Sequence, residues 1–305
     1  MAVQASSSGQ RLIWRLETVG FDLVSGFLRA LPTDTASALG GAVLGRIGSV
    51  SGRRRLVDRN LRLAFPEMAL AERERIARAQ WENFGRYITE MFFMDRLTPA
   101  SGRVEIVGLD RLNARALADT PTIFISAHLS NMEIMASAIL STGIDCVITG
   151  RAMNNPYVEA RVMENRRRYG VVQFAPKGAQ GARDQLLALK RGHSVAQMID
   201  QKNNNGVAAL FFGHSARTNS SAVKMALGSG GTLQPLSVQR LKGARFRVMV
   251  HEAIELQQTG CRQDDLEAGV HQMNAFVEAR VRERPEEWWW THRRWSKEAY
   301  ATLAD

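Results

Sequence analysis

His128 and Glu133 are the residues whose types and spacing point most directly to chemistry, in the stretch Ala127-His128-Leu129-Ser130-Asn131-Met132-Glu133. An imidazole oriented by a carboxylate can take the proton of a hydroxyl group as that hydroxyl attacks a carbonyl carbon. A five-residue step on an ideal helix would set the two side chains about 140° apart. They can meet only if His128 lies on a turn and Glu133 in the early turns of the helix after it. Taken alone, H-x4-E is better explained as an ordinary polar turn with a helix-starting Asn, so the surrounding elements must decide.

The run before the motif, Thr122-Ile123-Phe124-Ile125-Ser126, is apolar and β-branched, and Ile134-Met135-Ala136-Ser137-Ala138-Ile139-Leu140 follows it. This reads as strand, turn, helix. A short strand is expected at 104–107. Further strands are expected over 146–149, 171–174, 195–199, 208–212, 232–238 and 247–250, with helices over 131–141, 155–169, 178–191, 220–229 and 263–284. The alternation predicts an α/β fold with a mainly parallel central sheet flanked by helices. Ligands bind at the carboxyl ends of such strands, which brings His128, Arg151 and Asp200 to one rim. Arg151 reads as an anion ligand, and Asp200 as a substrate contact. Arg166-Arg167-Arg168 closes a helix, where cations suit both the backbone dipole and a bound phosphate.

Residues 69–94 have the spacing of a long amphipathic helix. Residues 11–31 are rich in apolar side chains but interrupted by Arg11, Arg15, Glu17, Asp22 and Arg29. Such a segment suits an interfacial helix lying in a membrane surface better than a span of roughly 20 apolar residues. It also suits a helix docked on the protein's own core. Two units are expected: an N-terminal helical membrane-associating segment, 1–50, and a catalytic domain, 51–305.

With 45% hydrophobic and 23% charged residues, the 305-residue chain can bury a sizeable core. Its net charge of +10 favours polyanions: nucleic acid, anionic lipid head groups or an acidic protein. Cys146 and Cys261 form no C-x-x-C pair, so a disulfide framework is not expected. No H-E-x-x-H, G-x-S-x-G, P-loop or dinucleotide fingerprint occurs, and no metal or cofactor is expected. With no serine or cysteine nucleophile evident, the His-Glu pair would act on a substrate hydroxyl. The C-terminal stretch Arg284 to Trp295 holds four of the six tryptophans. It suits a lipid–water interface, an anionic ligand, single-stranded nucleic acid, or a C-terminal helix packed on the core.

Together these residues resemble the late, secondary acyltransferases of lipid A biosynthesis, within the lysophospholipid and glycerolipid acyltransferase group. The resemblance runs from about Arg53 to Lys297. It includes Asn60-Leu61 with Ala64-Phe65-Pro66-Glu67, Phe84-Gly85-Arg86 with Glu90, and His128 through Glu133. Arg151 with Asn155-Pro156, Arg168 with Gly170, Lys177-Gly178, Asp200-Gln201 and Phe211-Phe212-Gly213 follow. The last block is Arg284-Pro285-Glu286, then Trp290, His292, Arg293, Arg294 and Trp295. Met132 stands where the family usually has tryptophan. The usual N-terminal transmembrane helix is replaced by the charged 11–31 segment.

The resemblance implies transfer of a fatty acyl group from a thioester, most often on acyl carrier protein, to a hydroxyl of a phosphorylated lipid A precursor. His128 would be the base and Glu133 its orienter, with Arg151, Arg168 and Asp200 contacting substrate. It implies the cytoplasmic face of the inner membrane, by peripheral contact with the anionic surface or a single anchor, and no nucleic acid partner. Alternatives are the same fold acting on a lysophospholipid or glycolipid acceptor, and a non-catalytic basic membrane- or nucleic-acid-binding protein. The last gives no reason for His128 and Glu133 at a strand's rim.

Overall fold

Helical apolar periodicity fills the first third of the chain, and four helices precede the first strand: α1 Ser8–Ala30, α2 Thr33–Ser49, α3 Arg54–Ala64 and α4 Leu70–Glu90. The computed structural model describes residues 7–303 apart from Asp119 and Lys177. Lys177, part of the resemblance, therefore lies outside the described residues. Ser7 caps α1 by accepting from the Gln10 amide at 3.2 Å, and Pro32 separates α1 from α2. The unit boundary expected near residue 50 falls in the turn between α2 and α3. Helix α2 packs along α4 because glycines meet at the crossing: a Cβ on Gly85 would lie 2.2 Å from the Gly40 carbonyl oxygen. After α4 the chain tightens into a 3-10 turn, Met91–Arg96.

Strands and helices then alternate: β1 Val104–Val107, α5 Leu109–Ala116, β2 Thr122–Ser126, α6 Glu133–Leu140, β3 Cys146–Gly150, α7 Pro156–Arg168, β4 Phe174–Pro176, α8 Ala179–Lys190 and β5 Ser194–Met198. Next come β6 Lys202–Phe211, β7 His214–Thr218, α9 Ser221–Ser229, β8 Thr232–Arg240, β9 Phe246–Val250, α10 Arg262–Glu283 and α11 Lys297–Ala301. The seven-stranded sheet has the order β1-β9-β8-β2-β5-β3-β4. Its pairings are parallel except between β8 and β9. The expected α/β architecture with a mainly parallel sheet is thus what forms. Residues of β2 are buried throughout, as a central strand covered on both faces requires.

Helices α6 and α7 carry the chain outward to β4, whereas α8 and α9 lie on connections running back to β5 and β8. Right-handed crossovers put outgoing and returning helices on opposite faces. The Ser221 hydroxyl of α9 donates to Gln197 Oε1 at 2.8 Å, which fixes α9 on the face of Gln197 and of its register partner Ile125.

Two strand expectations change. The strand expected at 171–174 forms at Phe174–Pro176. The 208–212 run is part of β6, which leaves the main sheet and pairs antiparallel with β7. Phe212 and Gly213, with φ of 51° and 74°, make the two-residue turn between them. Strand β7, His-Ser-Ala-Arg-Thr, has no apolar alternation to reveal it.

Candidate active site

His128 lies on the turn between β2 and α6, at the carboxyl rim of the sheet. Its Nδ1 is 2.6 Å from Asp200 Oδ1, and its backbone N–H donates to Asp200 Oδ2 at 2.9 Å. The register explains this meeting. Ser126 of β2 pairs with Met198 of β5, so the residues two positions beyond each strand come side by side. The Trp288 indole N–H also donates to Asp200 Oδ2, at 2.7 Å. Burial alone would raise the Asp200 pKa. The charge and hydrogen bond of His128 outweigh that, with His292 adding, and hold the carboxyl well below the usual carboxylate range. An ionised carboxylate only accepts, so Nδ1 carries the proton and Nε2 offers its lone pair. Gln201 Nε2 is 3.3 Å from that Nε2.

Glu133, expected to meet the imidazole, is instead held by Arg166 and Tyr169. Arg166 Nη2 is 2.6 Å from Glu133 Oε1, and the Tyr169 hydroxyl donates to Oε2 at 2.6 Å. No hydrogen bond joins His128 to Glu133 among the described residues. Four turn residues, Leu129 to Met132, separate the pair, and Glu133, as the first residue of α6, faces α7. Burial and the neighbouring Glu133 charge raise the Tyr169 pKa, so its phenol stays protonated and donates.

The turn itself is pinned from several sides. Ser130 adopts a left-handed φ of 48°, and its N–H donates to the Glu287 carbonyl at 2.8 Å. Leu129 bridges Trp288 antiparallel, and the Trp289 N–H donates to the His128 carbonyl at 3.2 Å. Asn131 Oδ1 accepts from the Glu133 N–H at 3.2 Å, and its Nδ2 donates to buried Glu90 at 2.9 Å. Glu90 is gripped by both terminal nitrogens of Arg240 and accepts from Ser37 at 2.6 Å. A left-handed serine costs about 1–2 kcal/mol. It persists because the surrounding bonds over-determine the turn.

The remaining candidates divide. Arg151 is exposed and lines the cavity described below. Arg168 is exposed at the end of α7 and does not line it, whereas Arg166 does. Two residues on a helix are about 200° apart, so only one of the pair can face inward. Asp200, expected to contact substrate, is 1% exposed with both oxygens engaged by protein groups. Sequence reasoning missed Arg166, Tyr169, Trp288 and Trp289 as site residues. The C-terminal block packs on the core, as a 3-10 turn, Pro285–Glu287, followed by turns and irregular chain rather than an α-helix. Buried Arg294 donates to Thr218 at 2.7 Å and Asn274 at 3.1 Å, and Asn60 donates to the Trp290 and His292 carbonyls. Trp289 stacks beside the imidazole, ring centroids 5.1 Å apart, and is backed by Phe84 and Tyr87.

His128 opens on a cavity of about 1780 Å³. Ligand pockets usually span roughly 300–1,000 Å³, so this one has room for long chains. Ile88, Met91, Met132, Ala136, Ile139 and Val162 are among its apolar walls. An imidazole braced by a buried carboxylate, beside a cavity with aliphatic walls, suits the activation of a hydroxyl next to aliphatic chains.

The comparisons agree with that class. The family described as Bacterial lipid A biosynthesis acyltransferase matches residues 19–297, and the chain belongs to it. The chain is 24% identical over 250 residues to the lipid A biosynthesis palmitoleoyltransferase of Escherichia coli (strain K12), covering 79% of this chain and 78% of the relative. It is 25% identical over 251 residues to the lipid A biosynthesis lauroyltransferase of the same organism, with the same coverage. A crystal structure of the 1-acyl-sn-glycerophosphate acyltransferase of Thermotoga maritima is similar with a TM-score of 0.38 at 14% identity, covering 87% of this chain and 98% of that one. The protein is an acyltransferase of lipid A biosynthesis type.

Proposed function

We propose that the chain moves a fatty acyl group from a thioester on acyl carrier protein to a hydroxyl of a phosphorylated lipid A precursor. The observation that carries this reading is His128, which lines the cavity with its Nδ1 tied to buried Asp200 and its Nε2 beside the Gln201 amide. His128 Nε2 takes the acceptor's hydroxyl proton as that oxygen bonds to the thioester carbonyl carbon. The tetrahedral intermediate collapses, the carbon–sulfur bond breaks, and the imidazolium returns the proton to the departing thiolate. Asp200 holds the tautomer and stabilises the imidazolium, the role first expected of Glu133. Glu133 keeps the Arg166 guanidinium at the cavity wall as a fixed positive charge beside the reaction. Arg151 at the cavity's edge meets an acceptor phosphate.

The exposed apolar stripe of α1, Leu12, Leu16, Val19, Leu23 and Phe27, supports attachment to the anionic cytoplasmic face of the inner membrane. Among the described residues, no helix is long and apolar enough to cross a membrane.

The test is Asp200→Asn assayed with a radiolabelled lauroyl thioester and a lipid A precursor. An asparagine can keep the shape but not the tautomer. The expected result is a kcat lower by about 10³–10⁴ with KM and the circular dichroism spectrum unchanged. A kcat within threefold of the parent protein would remove Asp200 from the mechanism.

A further inference from the structure

The cavity has two arms. Phe124 and Ile125 point to opposite faces of the sheet, yet both line it. Below the rim, the arm under α6 and α7 is walled by aliphatic side chains such as Met135, Ala136, Ile139 and Val162. The arm under α8 and α9 is different. Gln185 and Gln197 line it, 9% and 8% exposed, and each has one amide atom without a partner. Gln185 Nε2 donates to the Gly181 carbonyl of its own helix at 3.1 Å, which leaves Oε1 free to accept. Gln197 Oε1 accepts from Ser221, which leaves Nε2 free to donate. One amide thus offers an acceptor and the other a donor, the complement of a ligand that carries both an N–H and a carbonyl. At the outer edge of this arm stand Lys190, Lys224 and Arg262, all exposed and without a carboxylate partner among the described residues.

We propose that the α8/α9 arm receives the phosphopantetheine of the acyl donor, and the α6/α7 arm the acyl chain; this rests on the function proposed above. Phosphopantetheine is a narrow chain with two amides, a phosphate at one end and the thioester sulfur at the other. Its sulfur comes to the rim beside His128. A carbonyl and an N–H of its amides meet Gln197 Nε2 and Gln185 Oε1, and its phosphate meets the three cations. A second aliphatic chain would leave both glutamine atoms unpaired. Carrier protein and coenzyme A share this chemistry.

The experiment uses four lauroyl thioesters with the same acceptor: those of carrier protein, coenzyme A, pantetheine and 2-mercaptoethanol. Gln185→Leu should raise KM about tenfold for the three amide-bearing donors and leave the mercaptoethanol thioester unchanged. Lys190→Glu with Arg262→Glu, both on the surface, should raise KM for the carrier-protein and coenzyme A donors but not for the pantetheine thioester. A larger rise for carrier protein than for coenzyme A supports the arm with carrier protein as source; an equal rise supports it with coenzyme A as source. Variants that change no KM, or change all four alike, overturn the assignment while parent activity leaves the acyl-transfer reading standing. No transfer by the parent from any thioester overturns both.

Discussion

Asp200 shows at the residue scale how one carboxylate is made to serve an imidazole. Three protein donors converge on it: the His128 amide, the His128 ring and the Trp288 indole. Its folded pKa lies below the unfolded value, so its stabilisation is present above about pH 4 and is lost as pH falls through the lower folded value. Asp200→Asn should therefore flatten the fall of the urea midpoint with pH below 4. An unchanged slope would show that Asp200 carries no such linkage. His128 was legible in the sequence as a base on a turn. Its partner was not, because Asp200 is 72 positions away and becomes a neighbour only through the pairing of β2 with β5. Glu133 was nearer in sequence, but its helix phase turns it to Arg166 and Tyr169. Asp200 lies just past the end of β5, as expected, but its oxygens meet His128 and Trp288 where a substrate contact was expected.

Among the elements, α1 docks on the protein as one reading of residues 11–31 expected, and leaves exposed the apolar side that the proposed membrane contact needs. One side is docked: Arg29 pairs with Asp95 at 2.7 Å, Arg161 with Asp22 at 3.0 Å, and Asn155 donates to Glu17 at 2.9 Å. Three of the five charges that interrupt the apolar run, Glu17, Asp22 and Arg29, thus dock the helix. The other side leaves Leu16 and Leu23 65% and 70% exposed. At roughly 25 cal/mol per Å² of apolar surface, a stripe of this size favours an interface by several kcal/mol. Leu16→Glu with Leu23→Glu should abolish co-sedimentation with anionic vesicles and leave thermal unfolding unchanged, since neither side chain packs inside. Undiminished sedimentation would assign membrane attachment elsewhere. The α/β rhythm was readable because apolar runs and helical periods alternate cleanly there. The β6–β7 hairpin was half legible: the apolar run 208–212 showed β6, whereas polar β7 carried no signal.

Over the whole molecule, the sheet gives His128 a rim, the C-terminal segment locks the turn on that rim, and the N-terminal helix α1 leaves an apolar stripe exposed. Arg240 and Glu90, from β8 and α4, join the helical front of the chain to the turn through Asn131. Residues as far apart in sequence as Asn60 and Arg294 meet in the same way: Asn60 holds the Trp290 and His292 carbonyls, and Arg294 anchors the same segment on Thr218 and Asn274. The central claim is acyl transfer to a lipid A precursor through His128. Its most direct test is mass spectrometry of lipid A from cells lacking the protein and from the same cells supplied with the parent protein or with His128→Ala. The prediction is lipid A short by one acyl chain, restored by the parent protein and not by His128→Ala at equal abundance. Full acylation with His128→Ala, or lipid A unchanged when the protein is absent, would contradict it.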